Sequence, residues 1–286
     1  MSEIILPKES NIYRLFQQAV AQRQMVFLAG LPGTGKSLLL KQLALMAQQA
    51  GRTTHLLQWD VTRAAFETAV ILQKYPEIDG VTHPAIRKAV GLWTRAGIQQ
   101  WHETYVGTDH FLLGEVPLVG NRLSELTQSL PDESEAILVD EKTLFIVPVP
   151  SQSVRQTIEA AREESIANPQ HEKENNDAHP NVLYMLWHDV VLAGYELGLV
   201  AEKPIGKIAY DAAVYAAVYQ HLLTNRHTVI LPINTVLRPN GSAYELVIDG
   251  TELTATPDEV DKIMQTVEQS MTADELETAV FNWYKI

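Results

Sequence analysis

The sequence predicts an α/β fold, a doubly wound and mainly parallel sheet of five strands with helices on both faces. Three observations carry that expectation. Apolar runs of strand length alternate with helix-periodic stretches along most of the chain. The first run, Met25-Val26-Phe27-Leu28-Ala29, has no polar position, as a strand covered on both faces should not. It leads without a break into Gly30-Leu31-Pro32-Gly33-Thr34-Gly35-Lys36-Ser37, and a helical pattern starts at once.

That strand–loop–helix setting gives the glycine spacing its chemical meaning. Gly30-x-x-x-x-Gly35-Lys36-Ser37 is the pattern of a phosphate-binding loop. Glycines let the backbone curl with its N–H groups inward, and the following helix N-terminus adds partial positive charge. Gly30, Leu31, Pro32, Gly33, Thr34, Gly35, Lys36, Ser37 and Leu38 are therefore the expected binding segment for a nucleoside triphosphate, taken as ATP. Lys36 is expected to reach the β- and γ-phosphates, and the Ser37 hydroxyl to sit on Mg2+.

Composition narrows the partners. At 286 residues the chain can bury a full core as one domain or two. A formal charge of −13, with no Lys/Arg-rich run, argues against nucleic acid and anionic membrane as partners. Zero cysteines exclude disulfides, a zinc–thiolate site and cysteine catalysis. The segment Met1-Ser2-Glu3-Ile4-Ile5-Leu6-Pro7-Lys8 lacks the basic and apolar regions of a signal peptide, and no apolar run reaches membrane-span length. The expectation is a cytoplasmic protein.

In chain order, Ser10 caps a first helix with Ile12, Leu15, Phe16 and Ala19 on one stripe. The helix after the glycine loop runs from Ser37 to Ala50 and closes at Gly51. Thr53 to Trp59 reads as a second strand ending in Asp60, followed by helix from Ala64 to Tyr75. Residues 76–108 form a less regular insert, punctuated by Pro76, Asp79-Gly80 and His83-Pro84, with a broad helical pattern from Ala85 to Tyr105. His110 to Pro117 is the third strand, and a helix is expected from Gly120 to about Ser129. Thr143 to Val147 is the fourth strand, halted by Pro148-Val149-Pro150, with Ser151 capping a helix to about Ala167. Residues 168–181, polar and with two prolines, are the candidate mobile loop. Asn181–Val200 and Ile205–Thr224 read as helices, and His227 to Ile233 as the fifth strand. A β-hairpin turning at Asp249-Gly250 is expected within 240–256, and Pro257 opens the last helices. One domain, 1–286, is the expected organisation.

Beside the loop, two further stretches resemble the nucleoside-monophosphate-kinase branch of the P-loop kinases, whose familiar members are the adenylate kinases. Phe111-Leu112-Leu113-Gly114-Glu115-Val116-Pro117 is similar to that family's third core strand, although Gly114-Glu115 stands where the family has Asp-Gly. Phe145-Ile146-Val147-Pro148-Val149-Pro150, followed by a helix with Arg155 and Arg162, is similar to its fourth strand and arginine-bearing helix. The polar segment at 163–181 falls where the family carries its lid, and 76–108 falls on the acceptor side. The resemblance implies a P-loop NTPase that moves the γ-phosphate of Mg-ATP to a small nucleoside, nucleotide or hydroxy-metabolite acceptor. It implies that Arg162 and Arg155 turn to the phosphates, and that Asp60 or Glu115 handles the acceptor or water on Mg2+. Each has a plainer reading. The arginines pair with Glu159 and Glu163 on a solvated face, Asp60 caps the next helix, and Glu115 is a turn residue. Arg63, Arg87 and Arg122 follow the second and third strands and are candidates for an anionic acceptor. The five tryptophans are expected in core and crevice walls, and His171, His179 and His188 fit no compact ligand spacing.

The loop wording also resembles the ring-forming AAA-type ATPases, regulatory proteins that couple hydrolysis to a protein partner. Their second signature is an apolar strand ending in Asp-Glu, and Ala136-Ile137-Leu138-Val139-Asp140-Glu141 has that outline. A strand at 143–147 follows immediately, so a hairpin or one longer strand is the competing reading of that stretch. A sensor that binds nucleotide without turnover is a third possibility.

Overall fold

The computed structural model describes residues 3–78, 80–167, 180–237 and 250–286. Their centre is a six-stranded, open, all-parallel sheet: β1 (Met25–Ala29), β2 (Thr53–Gln58), β3 (His110–Val116), β4 (Thr143–Pro150), β5 (Thr228–Ile233) and β6 (Gly250–Glu252). Their order across the sheet is β5-β4-β1-β3-β2-β6. The five expected strands are present, and a sixth, parallel to β2, extends one edge through the pairs Thr54↔Gly250 and Leu56↔Glu252. The other arm of the expected hairpin, together with Asp249 at its turn, lies outside the described residues.

Side-chain alternation along the strands splits the core into two layers. Met25, Phe27 and Ala29 pack with Phe145 and Val147 under one set of helices. That set is α3 (Trp59–Phe66), α5 (Pro84–Tyr105), α8 (Pro180–Glu196), α9 (Ala212–Leu222) and α10 (Pro257–Ser270). Val26, Leu28, Leu113 and Ile146 face the other way, against α1 (Asn11–Gln22) and α2 (Lys36–Gln49). All five tryptophans are buried. Among the described residues no helix is long and apolar enough to cross a membrane.

Several boundaries differ from the sequence reading, each for a physical reason. The fourth strand continues through both prolines to Pro150. Phe145 and Ser151 donate their N–H groups to His227, just before β5, and to Ile233 at its end, so the intervening even positions face β1, whose ladder stops at Ile146. The N–H that Pro148 and Pro150 lack would have had no partner there. The 76–108 insert is mostly one helix, α5, which His83 starts by accepting the Ala85 N–H at 3.1 Å with Pro84 in the first turn. The helix expected from Gly120 is reduced to one 3-10 turn, Ser124–Leu126. The stretch from Ala64 to Tyr75 divides into α3 and α4 (Ala69–Lys74), because Thr68 restarts the chain as a new N-cap. Residues 163–167 belong to α7 (Gln152–Ala167) and 180–181 to α8, while 168–179, the rest of the lid-like loop, lie outside the described residues.

At the amino ends of β2 and β3 two histidines meet. His55 Nε2 and His110 Nδ1 are 2.7 Å apart, and Tyr105 stacks on His110 with centroids 4.1 Å apart. Burial, then the neighbouring His110, lowers the His55 pKa below its ordinary value. The unfolded chain therefore binds a proton that folded His55 resists, and stability falls as pH drops below about 6.5. Urea unfolding at pH 7.5 and 5.5 checks this: the midpoint is expected to fall at the lower pH, and by less in His55→Phe.

Candidate active site

The site begins where β1 gives way to α2. Gly30, Gly33 and Gly35 hold φ values of 145°, 77° and 82°, which an L side chain rarely adopts. Gly30 is required for a second reason. A Cβ there would overlap the hydroxyl of Tyr215, which accepts the Leu31 N–H at 3.1 Å. Burial pushes the Tyr215 pKa up to about 12, so the hydroxyl keeps its proton across the ordinary pH range. Thr34 Oγ1 donates to the Leu31 carbonyl at 2.9 Å, tightening the curl from inside.

Lys36 lies under this curl, 4% exposed, and donates to the Leu31 carbonyl at 2.8 Å. Its other neighbour is Glu115, 3.6 Å away. The same carboxylate oxygen accepts the Ser37 hydroxyl at 3.2 Å. Sheet order explains the meeting: β3 lies directly beside β1, with Glu115 in register with Leu28, so its carboxylate emerges at the carboxyl ends beside the loop. Burial lowers the Lys36 pKa, Glu115 opposes that, and the nearby Arg162 adds to it. Two oxygen donors beside a buried ammonium suit a hard cation next to an anion.

Helix α7 crosses above the loop. Glu159 Cγ and Ile158 Cδ1 each lie 3.8 Å from where Gly33 and Gly35 would carry a Cβ. Arg155 is neither on a solvated face nor open to ligand. It is 3% exposed, bonded to Glu159 at 2.6 Å and laid over the Tyr210 ring at 4.5 Å, with Nη1 buried and unpartnered. Arg162 is the arginine of this helix whose charge is felt at Lys36.

Asp60 is not the helix cap. Gln58 holds that position, and Asp60 sits in the first turn of α3, 80% exposed and 3.8 Å from Arg63. Its charge nonetheless acts on Lys36. Arg63 is committed to Glu67 at 3.0 Å and Thr82 at 3.1 Å. Leu31, Gly33 and Thr34 are buried, while Pro32, Ser37 and Leu38 are half-buried at the rim.

The stretch 136–141 is neither a strand nor a hairpin. Ala136 to Leu138 close α6 (Glu133–Leu138), and Asp140-Glu141 form the turn before β4. The next residue, Lys142, accepts the N–H groups of Gln24 and Met25, so this acid pair lies at the amino end of β1. The glycine loop is at the opposite end of the sheet.

Tyr215, Tyr210 and Asp189 were not legible as site residues. Asp189 left a faint signal as a lone acid in the apolar run Val182–Ala193, whereas the tyrosines sit among others of the same pattern. No family model, curated protein or solved structure matches the chain.

Proposed function

We propose that the protein is a phosphotransferase that moves the γ-phosphate of Mg-ATP to a small-molecule acceptor. The observation that carries this reading is the reach of Glu115 from the strand beside β1 to both Lys36, at 3.6 Å, and Ser37, at 3.2 Å. A curled glycine loop, a buried lysine and a hydroxyl–carboxylate pair are the parts a triphosphate with its cation requires. Mg-ATP supplies the transferable phosphoryl group and the charge-neutralising metal.

The chain's own groups divide the work. The loop amides and Lys36 hold phosphate oxygens, for which Lys36 must leave the Leu31 carbonyl. Ser37 and Glu115 are the oxygen ligands on the metal side. Arg162, close to Lys36, steadies negative charge on the transferring group. Asp60, exposed in the first turn of α3 after β2, would receive the acceptor's proton. The location of Asp140-Glu141 at the far end of the sheet weighs against hydrolysis driven by that pair.

The test is ADP release from Mg-ATP across nucleosides, nucleoside monophosphates, sugars and small hydroxy acids. Release that rises at least tenfold with one acceptor class supports the reading. Equal release without acceptor would move the assignment to a regulatory ATPase, and binding without turnover to a sensor.

A further inference from the structure

Outside the glycine loop, strain gathers at one place, the turn after β3. Leu118, Asn121 and Leu123 are the non-glycine residues at positive φ among those described, at 54°, 60° and 62°, and Gly120 between them is at 57°. Side chains in that region strain the backbone, and such strain collects where a ligand is held. The position where Gly120 would carry a Cβ lies 2.9 Å from Arg122 Nη1, 3.8 Å from Arg87 Nη1 and 4.0 Å from Asp189 Oδ2. Two guanidinium groups and one carboxylate therefore converge on one point.

These arginines are poorly satisfied. Among the described residues the Arg122 guanidinium donates no hydrogen bond, and Asp189 acts on it through charge alone. Arg87 gives Nη1 to the Gly120 carbonyl at 2.7 Å, but its Nε is buried and unpartnered. Burial lowers the pKa of both, Arg87 to about 10. Asn121, 1% exposed, has both side-chain amide atoms without a partner. The contrast within the same protein is Arg95, which donates to Asp132, Glu135 and two carbonyls. Among the described residues Arg95 bonds through every nitrogen of its guanidinium, and the Arg122 side chain through none.

We propose that Arg122 and Arg87 receive an oxyanion group, phosphate or carboxylate, carried by the acceptor. This rests on the phosphotransferase reading for its purpose but not for its chemistry. Paired guanidinium forks bind a planar or tetrahedral oxyanion through two bonds each, and an incoming anion relieves the desolvated charge. The turn follows the carboxyl end of β3, next to the end of β1 that carries the phosphate loop, and the Asp60 carboxylate acts through charge on both Lys36 and Arg122. An acceptor anchored there presents its hydroxyl toward Lys36.

The experiment uses the full chain carrying Lys36→Ala, so that the glycine loop contributes little to anion binding. Melting temperature and calorimetry are followed against inorganic phosphate and, separately, malonate. One of the two is expected to bind saturably and raise the melting temperature, and adding Arg122→Met should weaken that binding at least tenfold. Arg122→Lys, which keeps the charge and loses the fork, should weaken it less. Without ligand, Arg122→Met is expected to melt no lower than its parent, because it removes a half-buried charge that makes no side-chain hydrogen bond. Equal binding in parent and variant, no binding of either anion, or a large fall in unliganded stability would overturn the proposal. Mg-ATP binding by the unsubstituted chain is measured beside it. Loss of nucleotide binding alone sinks the phosphotransferase reading and leaves the oxyanion site standing.

Discussion

Lys36→Ala is expected to lower kcat/KM for Mg-ATP by about 10²- to 10³-fold, the usual cost of removing one buried charged donor from a transition state. The geometry sets the direction. The ammonium is 4% exposed and held between the Leu31 carbonyl and Glu115, aimed into the curl of the loop. No other lysine enters that curl among the described residues, and Arg162 approaches from α7 above it. The fold should survive the change, because Glu115 keeps the Ser37 hydroxyl as a partner and is 20% exposed to water. Steady-state kinetics and a melting curve read the two effects separately. Turnover within tenfold of the parent, with an unchanged melt, would mean that Lys36 does not hold the transferring phosphates.

The second large effect is on stability. Arg95, 1% exposed, joins α5 to the segment before β4 through a two-pronged bond to Asp132 at 2.6 and 2.7 Å. It also reaches Glu135 at 3.0 Å and the carbonyls of Glu125 and Gln128 at 2.8 and 3.1 Å. Arg226 closes the network from the other side, meeting Glu135 at 2.8 Å and the carbonyls of Leu126 and Gln128. Removing Arg95 leaves buried carbonyls without donors and a cavity between helices. Arg95→Ala is expected to cost about 3 kcal/mol, while Asp132→Asn, whose side chain is 38% exposed, should cost about 1 kcal/mol. Denaturant unfolding checks both, and near-equal losses would contradict the assignment of the arginine as the centre of the network.

The parts of the fold written in local pattern were legible. The run 25–40 announces strand, loop and helix because an unbroken apolar run, glycine spacing and helix start all fall within one short window. That Lys36, Ser37 and Glu115 share one edge of the sheet was legible because the first two open the helix after β1 and the third lies near the carboxyl end of β3, strands that the sequence marks plainly. What escaped depends on pairing. Pro148 looks like a strand terminator until the register shows its missing N–H facing past the end of the β1 ladder, while β5 keeps the strand paired to Pro150. The strand β6 was expected as one arm of a hairpin, but nothing in its three residues declares that they pair in parallel with β2. Residues 136–141 match a strand in composition, yet Asp132 caps a helix there by accepting the Glu135 N–H at 3.1 Å. Tyr215 could not be read as a loop residue, since its hydroxyl meets Leu31 across most of the chain. Arg155 carries the periodicity of an exposed helix face, yet it lies buried over the Tyr210 ring, a contact that local pattern does not announce.

The measurement that bears most directly on the proposed function follows the γ-phosphate itself. ATP labelled at the γ-position is incubated with Mg2+, the protein and the acceptor class that raises ADP release, and the products are separated. Phosphotransfer predicts label in the acceptor in a one-to-one ratio with ADP, and none above background with Lys36→Ala. Label recovered as inorganic phosphate, whatever acceptor is present, would contradict it.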